Sequence, residues 1–112
     1  MTGQMINLNI AAEFAVTPGP RKRTEGDHSG QEFLEDFLRP RFLSARGSGV
    51  FLNVNLNGAA GYPTSFLEEA FGGLARAFGE QAVTETLRLT CDDEPYIADD
   101  IRRYIREANV QR

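Results

Sequence analysis

The chain predicts an α/β fold, a small mixed or mostly parallel sheet packed by about three helices, and three observations carry this. Apolar residues alternate in MINLNI (5–10), VFLNVNL (50–56) and TLRLTC (86–91), the period of a strand with one buried face. Apolar residues three and four apart recur in the stretches that follow each strand, the period of an amphipathic helix. Strands joined through helices imply right-handed crossovers and parallel neighbours.

The elements follow in order. Ile6, Leu8 and Ile10 form the buried side of the first strand, with Asn7 and Asn9 opposite. Residues 15–30, AVTPGPRKRTEGDHSG, are dense in Pro, Gly and charge, and Pro18-Gly19-Pro20 excludes a helix or a central strand. This loop is longer than most connections and has room for a short strand antiparallel to the first. Ser29-Gly30-Gln31-Glu32 has the S-x-x-E form of a capping box. It opens a helix over about Gly30 to Leu38 on Phe33, Leu34, Phe37 and Leu38, which Pro40 stops, with an extra turn carrying Phe42 and Leu43 as an extension.

Val50, Leu52, Val54 and Leu56 mark the covered face of a central strand, and Gly58 and Gly61 break it. The next helix starts at Ser65, where Ser65-Phe66-Leu67-Glu68 is a second capping box, and runs on Phe66, Leu67, Ala70, Phe71, Leu74 and Phe78 to Gly79 as its C-terminal glycine. The third strand buries Leu87, Leu89 and Cys91. Asp93-Glu94-Pro95 supplies a cap, an acid at the positive helix end and an early proline for the last helix, lined by Tyr96, Ile97, Ile101, Tyr104, Ile105 and Ala108.

Bulk properties narrow the function classes. At 112 residues the chain is expected to be a single domain, residues 1–112. It is 41% hydrophobic and 25% charged, an ordinary globular composition. A net charge of −4 argues against a nucleic-acid binder that works by bulk electrostatics. Arg102, Arg103, Arg106 and Arg112 make the last helix locally basic, but Asp99, Asp100 and Glu107 dilute that face. The single cysteine, Cys91, permits neither an intrachain disulfide nor a Cys-based metal cluster. No secretory signal and no apolar run of membrane-spanning length is present, so the expected location is the cytoplasm.

Candidate chemistry is sparse. Asp92, Asp93 and Glu94, with Asp99 and Asp100 a turn on, are explained by helix capping and the helix dipole, and no metal is expected. No G-x-S-x-G elbow exists, His28 lies in a glycine-rich loop, and Cys91 ends an apolar alternation, so no catalytic residue is assigned and no cofactor is expected. The loop from Pro18 to Gly30, with three cations in a row at Arg21-Lys22-Arg23, reads first as a solvated surface loop, as charge runs usually do, and second as an anion or nucleotide site, enzymatic in its strongest form. Arg21 and Arg23 would pair with the ligand beside the helix start at Ser29. Ser65 is explained by capping, with phosphorylation as the functional alternative, since a helix N-terminus tolerates added negative charge.

The segments T-P-G-P-R, E-G-D-H-S-G-Q-E-F, VFLNVNLNG and G-Y-P-T-S-F-L-E-E-A-F-G-G-L together resemble the prokaryotic STAS-like domain family of unknown function. The resemblance spans nearly the whole chain and implies a fold related to the STAS domains of anti-sigma-factor antagonists. In those antagonists a strand ends in an acidic-Ser-Ser-Gly segment that opens a helix, and a partner kinase phosphorylates the second Ser. On that pattern Ser65 matches the phosphorylated position and Thr64 the residue before it, while Pro63 replaces the acid and Phe66 the glycine. The resemblance therefore implies a non-enzymatic regulatory protein-interaction module, with a histidine-kinase-like ATPase as partner. Its contact surface would be the turn at 61–68, with Tyr62 as aromatic anchor and Glu68 and Glu69 supplying charge.

Overall fold

The computed structural model describes residues 4–108. Three parallel strands stand in the order β1 (Met5–Asn9), β2 (Phe51–Asn55), β3 (Leu87–Thr90). Leu8 pairs with Val54, and Val54 with Leu89; Leu52 pairs with Leu87. Five helices accompany them. Helix α1 is a single turn, Ile10–Glu13. Helix α2 is continuous through Gly30–Phe33, Leu34–Leu38 and Arg39–Ser48. Helix α3 is continuous through Thr64–Leu67, Glu68–Gly72 and Gly73–Phe78. Helices α4 (Glu80–Thr86) and α5 (Tyr96–Glu107) flank β3.

Strand order 1-2-3 with right-handed crossovers puts the connecting helices on one face of the sheet. The core lies there: Leu8, Leu52 and Val54 are fully buried against Phe33, Phe42, Phe66, Phe71 and Ile101. The other face carries Asn7, Asn53, Asn55, Phe51 and Arg88. Across it Asn53 donates to Asn7 Oδ1 (3.4 Å), Thr90 donates to Asn53 Oδ1 (3.0 Å), and the Arg88 guanidinium lies 4.0 Å from the Phe51 ring centre. This face is polar enough to meet water, which a parallel sheet seldom does.

Several boundaries differ from the sequence expectation, each for a local reason. Ile10 leaves the first strand because Asn9 caps α1, its Oδ1 accepting from the Ala12 N–H at 2.8 Å. The loop after α1 holds a 3₁₀ turn at Arg23–Glu25 and adds no strand among the described residues, so the sheet is parallel throughout. Pro40 does not stop α2. The turn just before it is widened to a π turn, with the Arg39 N–H reaching back five residues to the Leu34 carbonyl. The wide turn accommodates a ring that would otherwise meet the carbonyl four residues earlier. The helix then continues through buried Phe42 and exposed Leu43 to Gly49, whose φ of 68° ends it in the left-handed conformation.

Gly79 ends α3 as expected but also opens α4, which the alternation near Thr86 conceals. Thr86 is thus helical, and β3 begins at Leu87. Of the three residues expected to be buried there, Leu87 is buried and Leu89 and Cys91 are only partly covered, because β3 is an edge strand. Asp93 does not cap α5. The Ile97 N–H bonds instead to the Glu94 carbonyl at 2.9 Å, while Asp92 and Asp93 turn back to hold the Asn57-Gly58 turn. Arg112 lies outside the described residues. Among the described residues no helix is long and apolar enough to cross a membrane.

Candidate functional site

The site grows from the carboxyl end of the sheet, where open α/β sheets usually place ligand and partner contacts. Three loops meet there. After β2, Asn57 accepts from the backbone of Asp92 (2.8 Å) and Asp93, and the Gly58 N–H donates to Asp93 Oδ2 (3.2 Å). The Ala60 N–H reaches Val16 O at 2.7 Å and ties the same loop to the one after β1. Tyr62 is half-buried; its hydroxyl donates to Leu56 O at 2.8 Å and its ring packs beside Phe66. Burial pushes the Tyr62 phenol well above its ordinary pKa. Tyr62 therefore stitches the loop to β2, and little of it remains for the role of an exposed partner anchor.

The start of α3 corrects the expected capping box. Pro63 stands at the cap, Thr64 is the first helical residue, and Ser65 lies inside the first turn with no capping bond from its side chain. Glu68, the other half of the expected box, faces elsewhere: it accepts from Arg21 and from Arg76 Nη1 (2.7 Å). Ion pairing with two guanidinium groups is stronger than a bond to one N–H, so the glutamate is drawn away from the cap. Thr64 is exposed and Ser65 half-buried, and among the described residues neither hydroxyl has a hydrogen-bond partner.

Ser29, by contrast, is a cap in fact. It is fully buried, and its hydroxyl oxygen accepts from the Glu32 N–H at 3.0 Å. The loop carbonyls take the neighbouring donors: Gly30 N–H to Pro20 O (2.8 Å), Gln31 N–H to Arg21 O (3.0 Å). The Phe33 N–H bonds to Ser29 O (3.0 Å), the first regular helical bond. The donors that an anion would need at this helix start are thus occupied by the loop itself. Ser29→Ala is expected to cost about 1 kcal/mol, up to about 2. Ser65→Ala should stay within about 0.5 kcal/mol, as surface changes away from caps do. Urea denaturation of both variants checks the contrast, and equal losses would restore Ser65 as a cap.

The basic loop and the acidic pair, separate candidates in the sequence, form one cluster. Arg21 pairs with Glu68 and lies 3.4 Å from Glu69; Lys22 Nζ is 2.9 Å from Glu69. Arg23 pairs with Glu35 (3.1 Å) and Asp36 (3.2 Å) on α2. Burial alone would raise the Glu68 carboxyl, but hydrogen bonds from Arg76 and Arg21 outweigh it and hold the group below the ordinary carboxylate range. Glu69 is nearly buried, so it belongs to the inside of this cluster and not to a partner surface. Four cations here face four carboxylates, so Arg21 and Arg23, the cations expected beside an anion at Ser29, are shared with Glu68, Glu69, Glu35 and Asp36.

The remaining chemistry-bearing residues are quiet. His28 sits at φ 57°, held by the Gly19 N–H on its carbonyl (2.8 Å) and by the Phe14 ring edge-on at 5.5 Å. The Cys91 thiol donates to Glu94 O at 3.1 Å, and burial raises its pKa, the opposite of thiolate activation. Lys22 and Arg76 were not among the sequence candidates. Lys22 stands in the basic run Arg21-Lys22-Arg23 and Arg76 in a plain helical stretch, and neither spacing shows their partners, which a loop and a helix bring together only on folding.

No curated protein and no solved structure matches this chain. A family profile matches residues 29–96, which includes both cap regions and the Ser65 motif. The match starts after the Arg21–His28 part of the loop and ends at the first residue of α5, so it is narrower than the near-complete resemblance expected from the motifs. It covers more than half of the sequence, and the chain belongs to the family of STAS-like domains of unknown function (DUF4325).

Proposed function

We propose that this domain is a non-enzymatic, regulatory protein-interaction module, read by a histidine-kinase-like ATPase, with Ser65 as its phospho-switch and Thr64 as the adjoining acceptor. The observation that carries it is the start of α3. An exposed Thr64 and a half-exposed Ser65 present free hydroxyls there, and Ser65 is released from capping duty. A phosphate on Ser65 would add about −1.5 to −2 charges in the first turn of a helix, where the dipole favours an anion. Glu68 and Glu69, one turn further on, would repel it if bare. Their pairing with Arg21, Lys22 and Arg76 screens that repulsion.

The contact surface in this proposal is smaller than the sequence suggested. It consists of Pro63, Thr64 and Ser65, because Tyr62 is held against Leu56 and Phe66 and the two glutamates are engaged in ion pairs within the domain. The alternative, an anion or nucleotide bound in the Pro18–Gly30 loop, loses its support where the loop satisfies its own donors and cations.

Incubating the domain with a candidate ATPase and ATP, followed by mass spectrometry, tests the proposal. The expected result is a single phosphate on Ser65 or Thr64 and at least about tenfold weaker partner binding by Ser65→Asp. Partner binding without modification, and unaffected by Ser65→Asp, would remove the switch and leave an unregulated contact.

A further inference from the structure

Away from the Ser65 surface, a cleft of about 410 Å³ opens between the free edge of β3, α4 and α5. Its floor is apolar, formed by Val83, Leu87, Leu89 and Ile105; its rim carries Arg88, Arg102 and Arg106 against the single acid Glu80. In a chain of net charge −4 this is a local excess of positive charge. Arg102 shares its charge with Asp99 at 3.2 Å in an exposed pair, whereas Arg106 has no ion pair among the described residues.

The strand edge supplies the second observation. The Leu56 N–H bonds to Thr90 O at 2.8 Å, so Thr90 directs its backbone groups toward β2. In a parallel ladder alternate residues face opposite sides, so Leu87 and Leu89 direct theirs outward, into the cleft. Leu87 is already engaged: its N–H bonds to Val83 O, and Arg88 covers its carbonyl at 2.8 Å. Leu89 is left with a donor and an acceptor at an edge that no other strand covers among the described residues.

We infer that this cleft receives an acidic, extended peptide segment of a partner protein, added as a fourth strand beside β3. The Leu89 N–H and C=O would make its main-chain bonds. On its helix-facing side the segment would lay apolar side chains on Leu87, Leu89 and Ile105 and, to either side of them, carboxylates beside Arg102 and Arg106; carboxylates on its other side would meet Arg88. Charge decides against a second copy of this chain, because edge-to-edge pairing of two β3 strands would oppose the same arginines to one another. The inference is independent of the Ser65 proposal and concerns a different surface.

The probe is a labelled octapeptide, Glu-Glu-Val-Glu-Val-Glu-Glu-Glu, which places Glu-Val-Val-Glu on one side of an extended strand and glutamates on the other, titrated into the full chain carrying ¹⁵N. Saturable binding is expected, with shifts at residues 87–91 and 102–106 and slowed hydrogen exchange at the Leu89 amide. Arg106→Glu should weaken binding at least about tenfold. Arg106 is exposed and makes no ion pair among the described residues, so the variant should keep the wild-type circular dichroism. A valine-lysine octapeptide should not bind. No saturable binding, equal binding of the lysine peptide, or full binding by Arg106→Glu would overturn the inference. Octanoate is titrated in parallel. If it fills the cleft and the glutamate peptide does not, the site takes small amphipathic anions and the strand-addition inference fails.

Discussion

Phe66→Ala is expected to destabilise the domain by about 3–5 kcal/mol, the range for emptying a fully buried aromatic site. Phe66 is fully buried, with ring centres 5.7 Å from Phe33, 6.1 Å from Phe14 and 6.3 Å from Tyr62. It links α3 to α2, to Phe14 just after α1 and to Tyr62 in the loop after β2. Small domains are held by only about 5–15 kcal/mol, so the variant should retain little margin. Equilibrium urea unfolding reads the loss directly. A loss under about 1 kcal/mol would mean that the cluster repacks and that Phe66 is not its anchor. The result also bears on Ser65, because Phe66 faces inward while the serine next to it stays half-exposed.

Gly30→Ala should be the next most damaging change, at about 1–3 kcal/mol, the usual range for overfilling a close-packed contact. A Cβ on Gly30 would stand 2.7 Å from Phe66 O, 3.2 Å from Phe66 Cα and 3.1 Å from Glu69 Cβ. Two of these are backbone atoms of α3, which cannot move without separating the two helices. Gly47→Ala, in the last turn of α2 with nothing within 4 Å, should have the opposite sign. It is expected to stabilise by up to about 1 kcal/mol through helix propensity alone. Comparing the two denaturation midpoints separates close approach from propensity. Two losses of equal size would mean that helix α2 tolerates no added methyl anywhere.

The two substitutions mark what was legible in the sequence. Phe33, Phe66, Phe71 and Leu74 were readable as core because helical periodicity is local, spanning at most two turns. Gly30 was readable as a helix start. That it is the point where two helix backbones meet was not, since its neighbours lie 36 and 39 residues away in the chain. Ser65 shows how a local pattern misleads: S-x-x-E fits a capping box, yet the glutamate had better partners in Arg21 and Arg76. Ser29 shows the same pattern with its serine half fulfilled. Pro40 was read as a stop, and a widened turn one residue earlier overrode it.

Residue order by itself determined the α/β class, the three strands, the main helices and the family, because each depends on a period, a turn residue or a motif contained in a short window. Tertiary structure decided what the polar residues do. It closed Arg21, Lys22 and Arg23 onto Glu68, Glu69, Glu35 and Asp36, joining the basic loop and the acidic pair in one ion-pair cluster. It also left Arg106 and the Leu89 edge facing an open cleft. A charge's role depends on which opposite charge folding places within about 4 Å of it, and spacing along a chain does not carry that distance.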